Sequence, residues 1–233
     1  MRQVVLDTET TGIDPQQGHR IIEIGCVELI ERKLTGKHFH VYINPDRVVE
    51  EEAIAVHGIT NEFLADKPKF ADIANDFKNY IQGAELVIHN AAFDVGFINH
   101  EFAMLRPALP KVESICGVLD TLAMARKKHP GQKNNLDALC KRYGIDNSHR
   151  ELHGALLDAE ILADVYLLLS GGQSALLLDA ENEENSEASG IRRLSSERTP
   201  LKIIRAGSDE NEAHETYLDR LAKSCEQVVW RSQ

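Results

Sequence analysis

Three runs rich in β-branched and aliphatic residues follow one another at the start of the chain: QVVLDTE (3–9), RIIEIGCVELIE (20–31) and HFHVYINP (38–45). Each reads as a strand, separated from the next by the turn-prone segments TGIDPQQG and LTG. The short LTG link between the second and third runs fits an antiparallel hairpin. A mostly helical stretch over about 50–82 comes next, followed by a fourth strand, ELVIHN (85–90). Helical patterning then covers about 91–105, 120–128, 134–143 and 152–169. This order predicts an α/β fold in which a mixed sheet is covered by helices.

Of the 233 residues, 42% are hydrophobic, enough to build a core and to exclude wholesale disorder. No apolar run approaches the roughly 18 residues that would span a bilayer. Strand-like sequence begins almost at residue 1, which leaves no room for a signal peptide, so no membrane partner and a cytoplasmic location are expected. Cys26, Cys116, Cys140 and Cys225 lack C-x-x-C spacing and read as reduced thiols. The net charge of −11 argues against broad electrostatic wrapping of nucleic acid. It leaves room for an enzyme that grips a few nucleotides at a metal site, where the ions supply positive charge. Arg126, Lys127, Lys128, Lys133, Lys141 and Arg142 form a local basic cluster, either a solvated helical face or a phosphate-contact surface.

Several carboxylates stand where a core should be. On a strand alternate residues share a face, so Asp7 and Glu9 point the same way, about 6.5–7 Å apart. An acid at a strand end ordinarily caps a helix or turn, so this pair is weak by itself. In HGALLDAEILADVYLLL (153–169), a helical step of about 100° places Ile161, Leu162, Val165 and Leu169 within about 60° of Asp158. Asp158 thus lies in the middle of the core-facing stripe, where an unpaired carboxylate would cost several kcal/mol, so it needs a cation. In HNAAFDVGFINHEF, Asn90 reads as a cap that places Asp94 in the first helical turns, bordering Phe97 and Ile98. His153, just before the second helix, has a side chain whose ordinary pKa suits proton transfer at neutral pH. His57 and His89 are weaker candidates for lining such a site. Together, four carboxylates and a histidine suit a pair of divalent ions, Mg²⁺ or Mn²⁺ rather than structural zinc, arranged for phosphodiester hydrolysis.

Near Gly171 and Gly172 the composition changes. DAENEENSEASG (179–190) is acidic and almost free of apolar residues, as a flexible linker would be. Beyond it, LKIIRA (201–206) reads as a strand, and Ser208 or Asp209 as the cap of a helix in which Ala213, Tyr217 and Leu221 recur at i+4. This tail carries the chain's one tryptophan, Trp230, and is too short for a core of its own. Folding against a partner is the favoured reading, and packing back on its own domain the alternative.

The set D-x-E (Asp7, Glu9), HNAAFD (89–94) and H-x-x-x-x-D (153–158), with the flanking LDTETTG, IIEIG, VHGIT and LHGALLDAEILA, resembles the DEDDh family of 3′→5′ exonucleases. Within that family it is most similar to the proofreading exonucleases of bacterial replicative DNA polymerases. The likeness runs from residue 2 to about 172 and continues more loosely through the tail. It implies a ribonuclease-H-like fold, a five-stranded mixed sheet with the second strand antiparallel, flanked by helices and followed by a flexible linker and a small partner-binding tail. It also implies domains at 1–172 (exonuclease), 173–190 (linker) and 191–233 (tail).

The same resemblance assigns roles. Asp7, Glu9 and Asp158 hold the metal that activates water, Asp7 also reaches the second metal, Asp94 serves that second metal, and His153 is the general base. His57 and Phe93 contact the terminal nucleotide of a DNA 3′ end, beside Asp7, Glu9 and Asp158. Gln173–Leu178 (QSALLL) is similar to a sliding-clamp-binding peptide, although it lacks the aromatic ending of stronger versions, and 191–233 to the segment that docks on the polymerase catalytic subunit. Some family members also carry a small accessory subunit. The rival expectations are a free-standing exonuclease trimming RNA 3′ ends and a non-catalytic adaptor bridging clamp and polymerase.

Overall fold

The first strand, β1 (Arg2–Thr10), lies in the middle of a five-stranded sheet rather than at its edge. In this computed structural model, which describes residues 1–148, 152–171, 206–224 and 230, β1 is followed by β2 (Ile21–Ile30) and β3 (Lys33–Tyr42). Helices α1 (Glu51–His57), α2 (Asn61–Leu64) and α3 (Phe70–Ile81) lead to β4 (Glu85–Ile88). Then come α4 (Ala91–Met104), α5 (Val112–Ile115), β5 (Gly117–Asp120), α6 (Thr121–Lys128), α7 (Leu136–Tyr143) and α8 (Ala155–Leu169). The sheet order is β3-β2-β1-β4-β5, with β2 antiparallel to both its neighbours and the β1-β4 and β4-β5 pairs parallel.

Alternation along β1 divides the core into two layers. Val4 and Leu6 face α3 and α4, joining Phe77, Ile81, Phe97, Ile98 and Phe102. Val5 faces the other way, with Val27, Leu29 and Val87, against Leu162, Ala163 and Tyr166 of α8. The far side of α8 continues through Ile161, Val165 and Leu169 into Leu139 and Cys140 of α7. A fully buried aliphatic or aromatic side chain contributes roughly 1.5–3 kcal/mol, so α8 is held by both of its flanks.

Two details of the sheet differ from the sequence expectation. The hairpin turn is Glu31–Arg32, both with left-handed φ (49° and 63°), as a two-residue turn that matches strand twist requires. β3 therefore begins at Lys33 and LTG lies inside it, opposite a register shift between Val27 and Leu29, with Gly36 at φ 76°. An irregularity within the ladder had the composition of a turn. The fifth strand, GVLD (117–120), is an edge strand of four residues, partly exposed on both faces, and offers no apolar alternation to read.

Residues 177–233 form a second unit. Its described helix, α9 (Ser208–Ala222), starts after Gly207 rather than after Ser208 or Asp209, and Glu210 accepts the Gly207 N–H (2.8 Å). Leu218 is buried, whereas Tyr217 and Trp230 are exposed. The expected linker, the clamp-like peptide 173–178 and nearly all of LKIIRA lie outside the described residues. Among the described residues, no helix is long and apolar enough to cross a membrane.

Candidate active site

At the carboxyl ends of the parallel strands β1 and β4 the sheet opens into a cleft of about 270 Å³. Asp7, Thr8 and Glu9 form its floor, Asn90, Phe93 and Asp94 one wall, and His153 and Asp158 another. The two helices arrive from opposite faces of the sheet. Asp7 and Glu9 share the α8 face of β1, whereas Thr8 points toward α4, where its hydroxyl donates to Asp94 Oδ1 (2.7 Å).

Each helix is held against the sheet by a different feature. On the α4 side, Glu101 is 1% exposed and takes a two-pronged bond from Arg20, Nε to Oε1 and Nη2 to Oε2, both 2.7 Å. On the α8 side, Gly25 is indispensable: a Cβ there would lie 2.2 Å from the Ala155 carbonyl carbon and the Leu156 nitrogen. Gly25 pairs with Asp7 across β1 and β2, so the bare backbone admits the first turn of α8 directly beside the β1 carboxylates. Asp158 follows in that first turn, 2% exposed.

The electrostatics are those of a site built for cations. Burial pushes the Asp94 carboxyl up to about 7, with the Thr8 hydroxyl as the main opposing influence. His153 Nδ1 lies 3.4 Å from Asp158 Oδ2. Glu9, His153 and Asp158 present ligand atoms all within 4.8 Å of one another, an oxygen-rich set that fits a hard divalent cation. These three residues, drawn from β1 and the α8 region, could hold a metal ion.

Of the residues singled out in the sequence, Asp7, Glu9, Phe93, Asp94, His153 and Asp158 meet in this cleft, and His89 lines it as well. His57 does not line it. It is buried at the end of α1, with its pKa lowered by burial and then by the nearby charge of His153, while Val56 O accepts the His153 backbone N–H (3.2 Å). Sequence reasoning missed Asn135, Leu136 and Asp137, which bring the start of α7 to the cleft. Asn135 accepts the Ala138 N–H like any helix cap, so nothing in its local sequence marks it. In the basic cluster, Lys128 donates to Leu169 O (3.0 Å), tying α6 to the end of α8, and Arg142 donates to Lys133 O (2.8 Å), tying α7 to the loop before it.

The exonuclease family RNase_T matches residues 4–166. DNA polymerase III subunit epsilon of Escherichia coli K12 is 52% identical over 237 residues, covering 99% of this chain and 98% of that protein. The chain belongs to the DNA polymerase III epsilon-subunit family of exonucleases. The epsilon subunit of Haemophilus influenzae is likewise 52% identical, with 98% and 94% covered. Among solved structures, exonuclease X in complex with 5′ overhanging duplex DNA is 30% identical over 74% of this chain and 95% of that one, with a TM-score of 0.56. The cleft is thus the candidate active site of an epsilon-family exonuclease, and the sheet topology that the motif resemblance implied is the one observed.

Proposed function

We propose that the chain removes mismatched nucleotides from a DNA 3′ end as the proofreading subunit of a replicative DNA polymerase, releasing nucleoside monophosphates by phosphodiester hydrolysis. The observation that carries this is the convergence of Asp7, Glu9, Asp94, Asp158 and His153 on one cleft in an epsilon-family chain. Asp7, Glu9 and Asp158 would hold one divalent ion, and Asp94, with Asp7, a second, either Mg²⁺ or Mn²⁺. Such ions, when bound, polarise the phosphoryl oxygen and offset the negative charge that builds during displacement.

The chain's own residues supply the rest. His153, whose Nδ1 lies 3.4 Å from Asp158 Oδ2, takes the proton from the attacking water. The water oxygen bonds to phosphorus as the bond from phosphorus to the O3′ of the preceding nucleotide breaks, and that oxygen leaves with a proton. Phe93, on the cleft wall, offers a face for the terminal base; His57, expected to contact the terminal nucleotide, is buried outside that lining and near enough to feel the charge of His153. Thr8 holds Asp94 in place.

For assembly, residues 191–233 dock on the DNA polymerase III catalytic subunit and Gln173–Leu178 on the sliding clamp, with 1–172 as the catalytic domain. Relatives that are subunits by name match this chain over its tail as well as its catalytic part, which supports that division. A small accessory subunit is a further candidate partner.

The test is nucleotide release from paired, mismatched and RNA 3′ ends, side by side, with Mg²⁺ or Mn²⁺ and the purified chain. Mononucleotides should appear fastest from the mismatched DNA end. No release from any DNA end would refute the catalytic reading, and preferred release from RNA would favour an end-trimming ribonuclease.

A further inference from the structure

The hydrolytic assignment leaves one buried carboxylate near the site unexplained. Glu23 is 2% exposed on β2. Its register partners are Glu9 on β1 and Tyr42 on β3, while Asp7, Gly25 and His40 form the adjacent cross-strand row. Residues two apart on a strand share a face, so all six positions lie on the side of the sheet that α8 covers. Glu9 and Glu23 are therefore like charges directly opposite one another, an arrangement that destabilises a sheet unless each has its own counterpart.

Glu23 has two. Its Oε2 accepts the backbone N–H of Ala155, the first residue of α8 (3.1 Å), and its Oε1 lies 2.7 Å from His40 Nε2. The residue at the start of α8, Gly154, has no side chain to cap the helix, so a carboxylate from the sheet occupies the place a cap would take. A negative charge there also complements the helix dipole. Gly25, two residues along, is where the same turn rests on the strand. Asp158 is three residues beyond Ala155, and His153 two residues before it.

We propose that Glu23, held by His40, is a positioning residue for the hydrolysis: it pins the first turn of α8 and so sets where Asp158 and His153 stand relative to Glu9. It is not among the residues that line the cleft. This rests on the catalytic reading above, and the two can fail separately, because loss of that reading would show in the wild-type chain and loss of this one only in the variants.

The experiment uses the full-length chain and the substitutions Glu23→Gln, Glu23→Ala and His40→Gln. Four quantities are measured: kcat, KM for a mismatched DNA 3′ end, the Mn²⁺ concentration giving half-maximal rate, and Tm. Gln retains an oxygen for the Ala155 N–H but loses the charge, so it should retain more activity than Ala. For Glu23→Ala we expect kcat to fall about tenfold or more, as misplacement of catalytic groups by an ångström or less does, with KM within about twofold. The Mn²⁺ midpoint should rise several-fold, as the loss of a group that orients metal ligands produces. His40→Gln should follow in the same direction by a smaller factor. Wild-type kcat and Mn²⁺ midpoint in folded Glu23→Gln and His40→Gln would overturn the proposal, even if Glu23→Ala fails to fold. So would activity that falls only in proportion to the folded fraction, since that is what a purely structural cap would give.

Discussion

Asp94 offers a test in which stability and activity should move in opposite directions. Its carboxyl is 3% exposed and is held up to about 7 by burial, against an ordinary value of 3.8. Without metal, the folded chain binds this proton more tightly than the unfolded chain does. The associated stability is therefore complete below the unfolded value and is lost as the pH rises through the folded one. The change from 3.8 to about 7 corresponds to roughly 4 kcal/mol lost across that interval. Asp94→Asn removes the charge, retains the shape and retains an oxygen for the Thr8 hydroxyl. In EDTA at about pH 8, the variant should be more stable than the parent by roughly 1–4 kcal/mol, which for a domain of this size means a Tm higher by several degrees. At about pH 5 the difference should shrink to roughly half of that or less, because the folded parent is then protonated while the unfolded parent is not, and it should vanish only below the unfolded value of 3.8. Urea or thermal unfolding at both pH values measures it, with nucleotide release measured in parallel and expected to be abolished. A variant that is destabilised at about pH 8, or a difference that does not depend on pH, would refute the claim that Asp94 is a buried charge awaiting a cation.

Further outcomes are expected. Asp7→Ala should abolish nucleotide release under saturating Mg²⁺ or Mn²⁺, and full activity in that variant would refute the two-ion assignment. His153→Gln should lower kcat by about 10²–10⁴-fold and flatten the acid limb of the pH–rate profile, and an unchanged profile would remove His153 as the base. Gly25→Ala should destabilise the fold by several kcal/mol or displace α8, because the added Cβ meets backbone that cannot step aside; a wild-type Tm would contradict the close approach described. Removing residues 180–233 should abolish co-purification with the polymerase catalytic subunit while short single strands are still degraded, and retained co-purification would sink the tail assignment.

What the sequence disclosed depended on whether a residue's role is expressed in its neighbours along the chain. Asp158 was legible because a helical stripe of Ile161, Leu162, Val165 and Leu169 has one wrong member, and all four are buried or nearly so. Asp7 and Glu9 were legible as a same-face pair on an apolar strand. The Glu31–Arg32 turn was not, because neither residue advertises the left-handed backbone that it adopts. β5 was not, because four residues at a sheet edge carry no period. Glu23 was least legible of all. Its partners lie 17 residues away at His40 and 132 residues away at Ala155, and within IIEIG it looks like an ordinary polar member of an alternating strand. The family motifs pointed to the candidate ligands, whereas the contacts that Glu23 and Gly25 make with the start of α8 exist only in the tertiary structure.

Building the cleft from both faces of the sheet has a consequence for synthesis. The ribosome delivers Asp7 and Glu9 first and Asp158 some 150 residues later, and the cleft wall bearing Asp158 exists only once α8 has settled on Gly25. A growing or prematurely terminated chain that lacks α8 holds the first carboxylates without the last. Such a fragment should be chemically silent, so the cell is not exposed to a half-made nuclease.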